Sequence, residues 1–247
     1  MNKIKVSTIN VSNQHSAKYI SALTKITFSK KMNASNDIAS LLQNVNDEKD
    51  VLAKRVFQLG HLTLLEFINV SVLVEGCSRS YTHQQVRNRA GFTYLQSSQH
   101  WLDHSDMLDY VVPYELLVAH DENKIQKYLD TCNKAGEEYV RMIKEDNQLP
   151  EIARQVLPNA TRCNLVINAN LRAWFNFLEK RLCFKNTTEI NYISLLIYKE
   201  LMKVCPEIVS YFGPACFRCG KCIEMDRTCG IKWSIEEMEK KFAKMFE

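Results

Sequence analysis

Residues 161–183 read TRCNLVINANLRAWFNFLEKRLC, and the change of rhythm inside this stretch decides the fold class. TRCNLVINAN (161–170) reads as a strand, and it runs directly into a helix over 170–183. On that helix Asn170, Trp174, Phe177 and Arg181 fall on one face, and Arg172 and Asn176 on another. An arginine at the end of an aromatic stripe is poorly solvated and needs a partner. A core helix with one snorkelling arginine is the plainer reading of the same residues.

Upstream, INVSVLVE (68–75) alternates, with Val70, Val72 and Val74 on one face of a second strand. A polar helix is expected over 78–90. Further helices are expected over 14–28 and 36–59. The second carries Ile38, Leu41, Leu42, Val45, Val51, Leu52, Val56 and Leu59 and stops at Gly60. Asp121 can cap a long helix over 122–146 with Ile125, Leu129, Cys132, Tyr139, Val140 and Ile143 as its stripe. INYISLLIYKELMKV (190–204) is another, and S-I-E-E from Ser234 to Glu237 forms a capping box for the last. Helices dominate and the strands do not alternate with them in βαβ order, so the class is α+β. With only 5 Pro and 7 Gly and no biased linker, one continuous domain with a small C-terminal appendage is expected.

Apolar residues at 46% and charged residues at 24% suit a globular chain of 247 residues that can bury a core. The start, MNKIKVSTINVSNQ, lacks the apolar run of a signal peptide, and no stretch is apolar enough to span a bilayer. A cytoplasmic protein without a membrane partner is expected. Nine cysteines, an odd number, argue for a reducing compartment rather than a disulfide framework. The net charge of +4 suits a protein that binds a few phosphates.

Residues 82–101, THQQVRNRAGFTYLQSSQHW, concentrate arginine, hydroxyl and aromatic side chains with no acidic one. On a helix His83, Gln84 and Arg87 share a face while Arg89 points elsewhere. Guanidinium forks match phosphate and carbonyl oxygens, although a solvated basic face has the same composition. Arg154, in IARQVLPNAT (152–161), says little by itself. A nucleic-acid-binding module would also use basic and aromatic residues. The charge is modest and the arginines are spread over several elements, so no nucleic-acid partner is expected.

The order of these segments is informative. G-H-L-T-x-x-E (60–66) precedes Q-x-x-R-N-R (84–89) and Q-S-S-Q (96–99). A-R-Q-V-L-P-N-A (153–160), N-x-R-x-x-x-N-F-L-x-x-R (170–181) and G-P-A-C…G-K-C-x-E…C-G (213–230) follow. In this order and spacing, from about residue 50 to residue 230, the chain resembles the flavin-dependent thymidylate synthases. The resemblance implies a single domain over 1–212 with a mainly antiparallel sheet and several long helices, then a Cys-rich tail and C-terminal helix over 213–247. It implies methylation of uracil C5 of deoxyuridylate (dUMP), with methylenetetrahydrofolate giving the carbon and FAD reduced by NADPH the hydride, in a homotetramer whose sites combine several chains. Arg181 matches the catalytic arginine that meets the uracil edge and favours ionisation at N3. Gln84, Arg87, Ser97, Gln99, Arg154 and Arg181 fall on substrate positions. His61, Thr63, Arg87, Asn88, Arg89, Asn170, Arg172 and Asn176 fall on flavin positions.

The chain departs from the family signature Arg-His-Arg-x-x-Ser-x-Asn-Glu-x-Ser-x-Arg. Asn88 replaces the histidine, Phe92 the first serine, Tyr94 the asparagine, Leu95 the glutamate and Gln99 the final arginine, a phosphate ligand. Losing a charge-assisted contact costs about 1.5–3 kcal/mol. Lys185 and His100 are the candidates to replace it. A change of uracil nucleotide, or an inactive paralogue that serves as a regulatory subunit, are the alternatives. In the later Ala-Gln-x-Glu-Ile pattern only Glu189 and Ile190 are retained.

ACFRCGKCIEMDRTCG (215–230) spaces Cys216, Cys219, Cys222 and Cys229 as C-x2-C-x2-C-x6-C. A tetrahedral zinc set, iron–sulfur ligation and a reduced loop without metal all fit this spacing.

Overall fold

A computed structural model describes residues 4–14, 16–30, 34, 37–43, 55 and 57–243. Its strands are β1 (Lys5–Val11), β2 (Asn69–Ser78), β3 (Phe92–Gln96) and β4 (Arg162–Asn170). The helices are α1 (Ser16–Phe28), α2 (Ile38–Gln43), α3 (Arg79–Gln85), α4 (Tyr114–Val118), α5 (Glu122–Lys144) and α6 (Pro150–Ala153). They continue as α7 (Leu171–Arg181), α8 (Thr188–Val204), α9 (Pro206–Val209), α10 (Ala215–Arg218) and α11 (Ile235–Ala243). A 3-10 turn over Leu62–Phe67 leads into β2. The chain is therefore α+β, with one antiparallel sheet in the order β1-β2-β4-β3.

The sheet is built on β2 and β4, which pair from Asn69↔Asn170 to Ser78↔Arg162. Opposed residues share a face, so Val70, Val72 and Val74 bury together with Ala169, Ile167 and Leu165. A bulge between Val74 and Cys77 uses Gly76 at φ +75°, a backbone state that favours glycine. Helix α7 packs back on β4 because Trp174, Phe177 and Leu178 form its buried stripe. The Trp174 indole N–H donates to the Val70 carbonyl at 3.2 Å. Its ring meets Phe92 edge-on at 5.1 Å, which ties β3 to the same core. Trp233, Met238 and Phe242, beyond residue 212, join that core, so the tail packs on the body of the domain.

The strand-to-helix reading of 161–183 holds, and so do the Asp121 cap of α5 and the Ser234 cap of α11. Of the helix expected over 36–59, α2 and the Gly60 stop (φ +80°) are present, and the rest lies mostly outside the described residues. The helix expected over 78–90 is corrected: α3 ends at Gln85. The Tyr94 hydroxyl donates to the carbonyls of Gln85 and Asn88, and the Asn88 amide donates to the Gln85 carbonyl. Gly91 at φ +76° then turns the chain into β3. Arg87 is therefore beyond the helix and does not share a helical face with His83 and Gln84. Strands β1 and β3 are additions to the sequence-based reading. No helix among the described residues is long and apolar enough to cross a membrane.

Candidate functional site

Arg181 ends α7, where the buried aromatic stripe reaches the surface. Its Nη1 donates to the Asn186 side-chain oxygen at 3.1 Å, and its Nε is buried without a partner. Asn186 in turn donates to the carbonyls of Lys180 and Cys183, closing the last turn of α7. The next residue, Thr187, donates from its hydroxyl to the Gln84 side chain at 3.3 Å. Residues 186–187 thus bring Arg181 and Gln84, which are far apart in sequence, to one loop.

The start of α8 is fixed at the same place. Glu189 accepts from the Ser78 N–H at 2.8 Å and from the Ser78 hydroxyl at 2.5 Å. Ser78 itself caps α3 by accepting from Tyr81 N–H. Gln84, Ser78, Tyr114, Thr187 and Glu189 line a cavity of about 300 Å³. Burial raises the Glu189 carboxyl above the usual carboxylate range, the Ser78 bonds oppose the rise, and Glu115 adds to it. A carboxyl with a raised folded pKa holds its proton better folded than unfolded. Its contribution to stability is present below the unfolded value, about 4.3, and is lost as pH rises through the folded one. Melting curves of Glu189→Gln and wild type across pH 4–8 are expected to diverge in favour of the variant as pH rises. A constant difference would contradict the burial of this carboxyl.

The flavin-matched residues occupy the other end of α7 and the turns beside it. Asn170 caps α7, its side-chain oxygen accepting from Ala173 N–H at 2.8 Å. Arg172 lies over the Phe175 ring at 5.7 Å with its Nη1 buried and unpartnered, while Asn176 is exposed. The turn carrying His61 and Thr63 packs against α7, and both residues are exposed. Arg87 and Arg89 are exposed and their side chains engage no partner among the described residues. Asn88 is held inward on the Gln85 carbonyl. Burial pushes the Tyr94 phenol up to about 12, with Gln85 opposing, so this hydroxyl remains a hydrogen-bond donor to the turn.

The third group lies at the end of β3. Ser97 exchanges bonds with the Asn164 backbone, accepting from its N–H at 3.0 Å. Arg154 is exposed and donates to the Glu151 carbonyl at 3.3 Å. Gln99 makes no hydrogen bond among the described residues. The two proposed substitutes for its missing charge are otherwise engaged. Lys185 donates to the Arg227 carbonyl at 2.5 Å, and His100 faces the Glu151 carboxylate at 2.8 Å. Sequence reasoning missed Ser78 and Asn186, whose roles come from contacts with α8 and α7. Ser78 at the end of a strand was a legible cap signal; Asn186 offered none.

All nine cysteines are free thiols. Burial raises the Cys183 thiol, with the Lys185 backbone opposing and Cys229, Cys216 and Cys222 adding to the rise. Of the four tail cysteines Cys219 is exposed, and Cys216, Cys222 and Cys229 are half-buried. Among the described residues no three His, Cys, Asp or Glu side chains form a group that could hold a metal.

The sequence profile of the family described as Thymidylate synthase complementing protein matches residues 9–207. The flavin-dependent thymidylate synthase of Nitratidesulfovibrio vulgaris is 30% identical over 181 residues, 71% of this chain and 73% of that protein. That of Geobacter sulfurreducens is 31% identical over 177 residues, covering 71% and 74%. That of Clostridium tetani is 27% identical over 207 residues, covering 78% and 82%. An antiparallel α+β core with Arg181 at the end of a buried aromatic stripe thus sits within a match spanning most of the chain, and this protein belongs to the thymidylate synthase complementing protein family, that of the flavin-dependent thymidylate synthases.

Proposed function

We propose that this protein methylates uracil C5 of dUMP to give thymidylate. The observation that carries the reading is Arg181: a cation with a buried, unpartnered Nε, joined through residues 186–187 to Gln84. A permanent guanidinium in a poorly hydrated place stabilises negative charge on a bound base. Arg181 meets the uracil edge and favours its ionised form, which enriches C5 in electrons. Gln84, Arg87, Ser97 and Arg154 orient the nucleotide, so that positioning and charge do the work.

The buried orphan Nη1 of Arg172 and the unpaired Arg87 and Arg89 fit an acceptor-rich dinucleotide such as FAD. His61, Thr63, Asn88, Asn170 and Asn176 complete the set that would hold it. When bound, FAD reduced by NADPH supplies the hydride, and methylenetetrahydrofolate the carbon. Of this set His61, Thr63, Arg87, Arg89 and Asn176 are exposed on a single chain. This supports a homotetramer in which neighbouring copies complete each site.

Titration of the purified protein with FAD is expected to perturb the flavin spectrum, and C5-tritiated dUMP is expected to release tritium with NADPH and methylenetetrahydrofolate. A protein that ignores FAD at high concentration would refute the flavin reading. Good flavin binding without tritium release would point to another uracil nucleotide or to an inactive paralogue.

A further inference from the structure

Helix α11 lies beyond residue 207, where the family match ends, yet it reaches the end of α7 that carries Arg181. Lys241 of α11 donates from Nζ to the Asn191 side-chain oxygen at 3.0 Å. Asn191 is fully buried, and its amide nitrogen donates to the Arg181 carbonyl at 2.8 Å and the Cys183 carbonyl at 3.2 Å. Only one orientation of that amide serves two carbonyls and an ammonium at once, so the three contacts fix it. The Arg181 carbonyl is one of those that a helix end leaves without an intrahelical partner. Arg181 is thus held by its side chain through Asn186 and by its backbone through Asn191.

The Lys241 ammonium is half-buried, 5.5 Å from the Phe184 ring and 5.2 Å from the Phe242 ring. Phe184 belongs to the loop after α7, and Phe242 packs against Tyr192 of α8 at 5.0 Å. Burial lowers the Lys241 pKa, while Glu115 and Cys183 oppose the fall. Among the described residues no carboxylate pairs with Lys241, and Glu237 on the same helix is taken by Lys240 at 2.8 Å. A cation near the last turn of α7 suits the negative end of that helix. The tail grips this region twice more: Lys185 donates to the Arg227 carbonyl, and Arg218 pairs with Glu179 of α7 at 3.3 Å.

We propose that Lys241 is a positioning residue for the reaction: through Asn191 it fixes the last turn of α7 and so aims the Arg181 guanidinium at the base. The proposal rests on the reading that Arg181 stabilises charge on a uracil nucleotide. It gives the C-terminal appendage a part in turnover that is transmitted through one buried amide.

A double-mutant cycle on tritium release from C5-labelled dUMP, with NADPH and methylenetetrahydrofolate, tests this on the flavin-loaded protein. Lys241→Met keeps the stem without charge or donor and is expected to lower kcat about 10-fold, the scale on which small misplacements act. KM for dUMP and the affinity for FAD are expected to stay within about two-fold. Lys241→Arg keeps a cationic donor and is expected to retain most of the turnover. In an Arg181→Ala background Lys241→Met is expected to change kcat by less than about two-fold, because the group it aims is gone. An equal loss in both backgrounds, or unchanged kcat in Lys241→Met, would overturn the proposal.

A second measurement needs no turnover. In 15N-labelled protein the Arg181 Nε–H signal is identified by its loss in Arg181→Ala. Its hydrogen exchange is expected to be about 10-fold faster in Lys241→Met, with the Trp174 indole N–H unchanged. If wild type releases no tritium, the functional reading fails, and this exchange decides the positioning by itself. Faster exchange at Arg181 alone supports it; unchanged exchange there, or an equal rise at both N–H groups, would overturn it.

Discussion

Arg181→Ala is expected to lower kcat about 10²–10³-fold, the cost of removing one preorganised donor from a site that stabilises developing charge, while FAD stays bound. The magnitude follows from where the guanidinium sits. Its Nε is already desolvated and unpaired, so the folded chain has met the cost of burying it before any substrate arrives. Asn186 takes one of its N–H groups and holds the fork in one orientation. Arg181→Lys is expected to recover only part of the loss, since an ammonium lacks the fork. Steady-state turnover of dUMP, with the flavin spectrum recorded on the same sample, separates chemistry from cofactor loss. Near-normal turnover would show that another residue carries the charge.

Trp174→Ala is expected to destabilise the fold by about 3–5 kcal/mol, the usual range for emptying a buried aromatic site. At about 2–4 °C per kcal/mol for a chain of this size, the melting temperature falls by about 6–20 °C. The indole is fully buried, donates to the Val70 carbonyl and makes edge-on contacts with both Phe92 and Phe177. It therefore links α7 to β2 and β3 at once. Trp174→Phe keeps most of the volume and forfeits the hydrogen bond, so a loss nearer 1 kcal/mol is expected. Urea denaturation of the two variants reads the difference. A Trp174→Ala protein as stable as wild type would contradict the packing of α7 on the sheet.

The parts of the fold legible in the sequence were those stabilised by local signals or by a wholly buried face. β2, β4 and α7 announce themselves through Val70–Val74, the run to Asn170 and the aromatic stripe. The caps at Asp121 and Ser234 mark where α5 and α11 begin. β1 and β3 were not legible, because each edge strand buries little. In β1 only Val6 is buried, and in β3 Leu95 is 72% exposed. The end of α3 is set by the Tyr94 hydroxyl from the next strand, a contact that helical periodicity cannot anticipate. The same division holds for the site. Arg181 and Gln84 were named from their motifs, but the loop that joins them depends on Asn186 and Thr187.

The Ser78–Glu189 and Gln84–Thr187 bonds span 111 and 103 positions of the chain. Closing such distances before any compensating contact forms is entropically costly, and long-range contacts slow folding accordingly. A polypeptide that has left the ribosome only as far as Arg181 contains the aromatic stripe and the whole of β4. It still lacks the two residues, Thr187 and Glu189, that complete the rim around Gln84. The fold can thus nucleate on its central strands before the loop that joins Gln84 to the end of α7 exists.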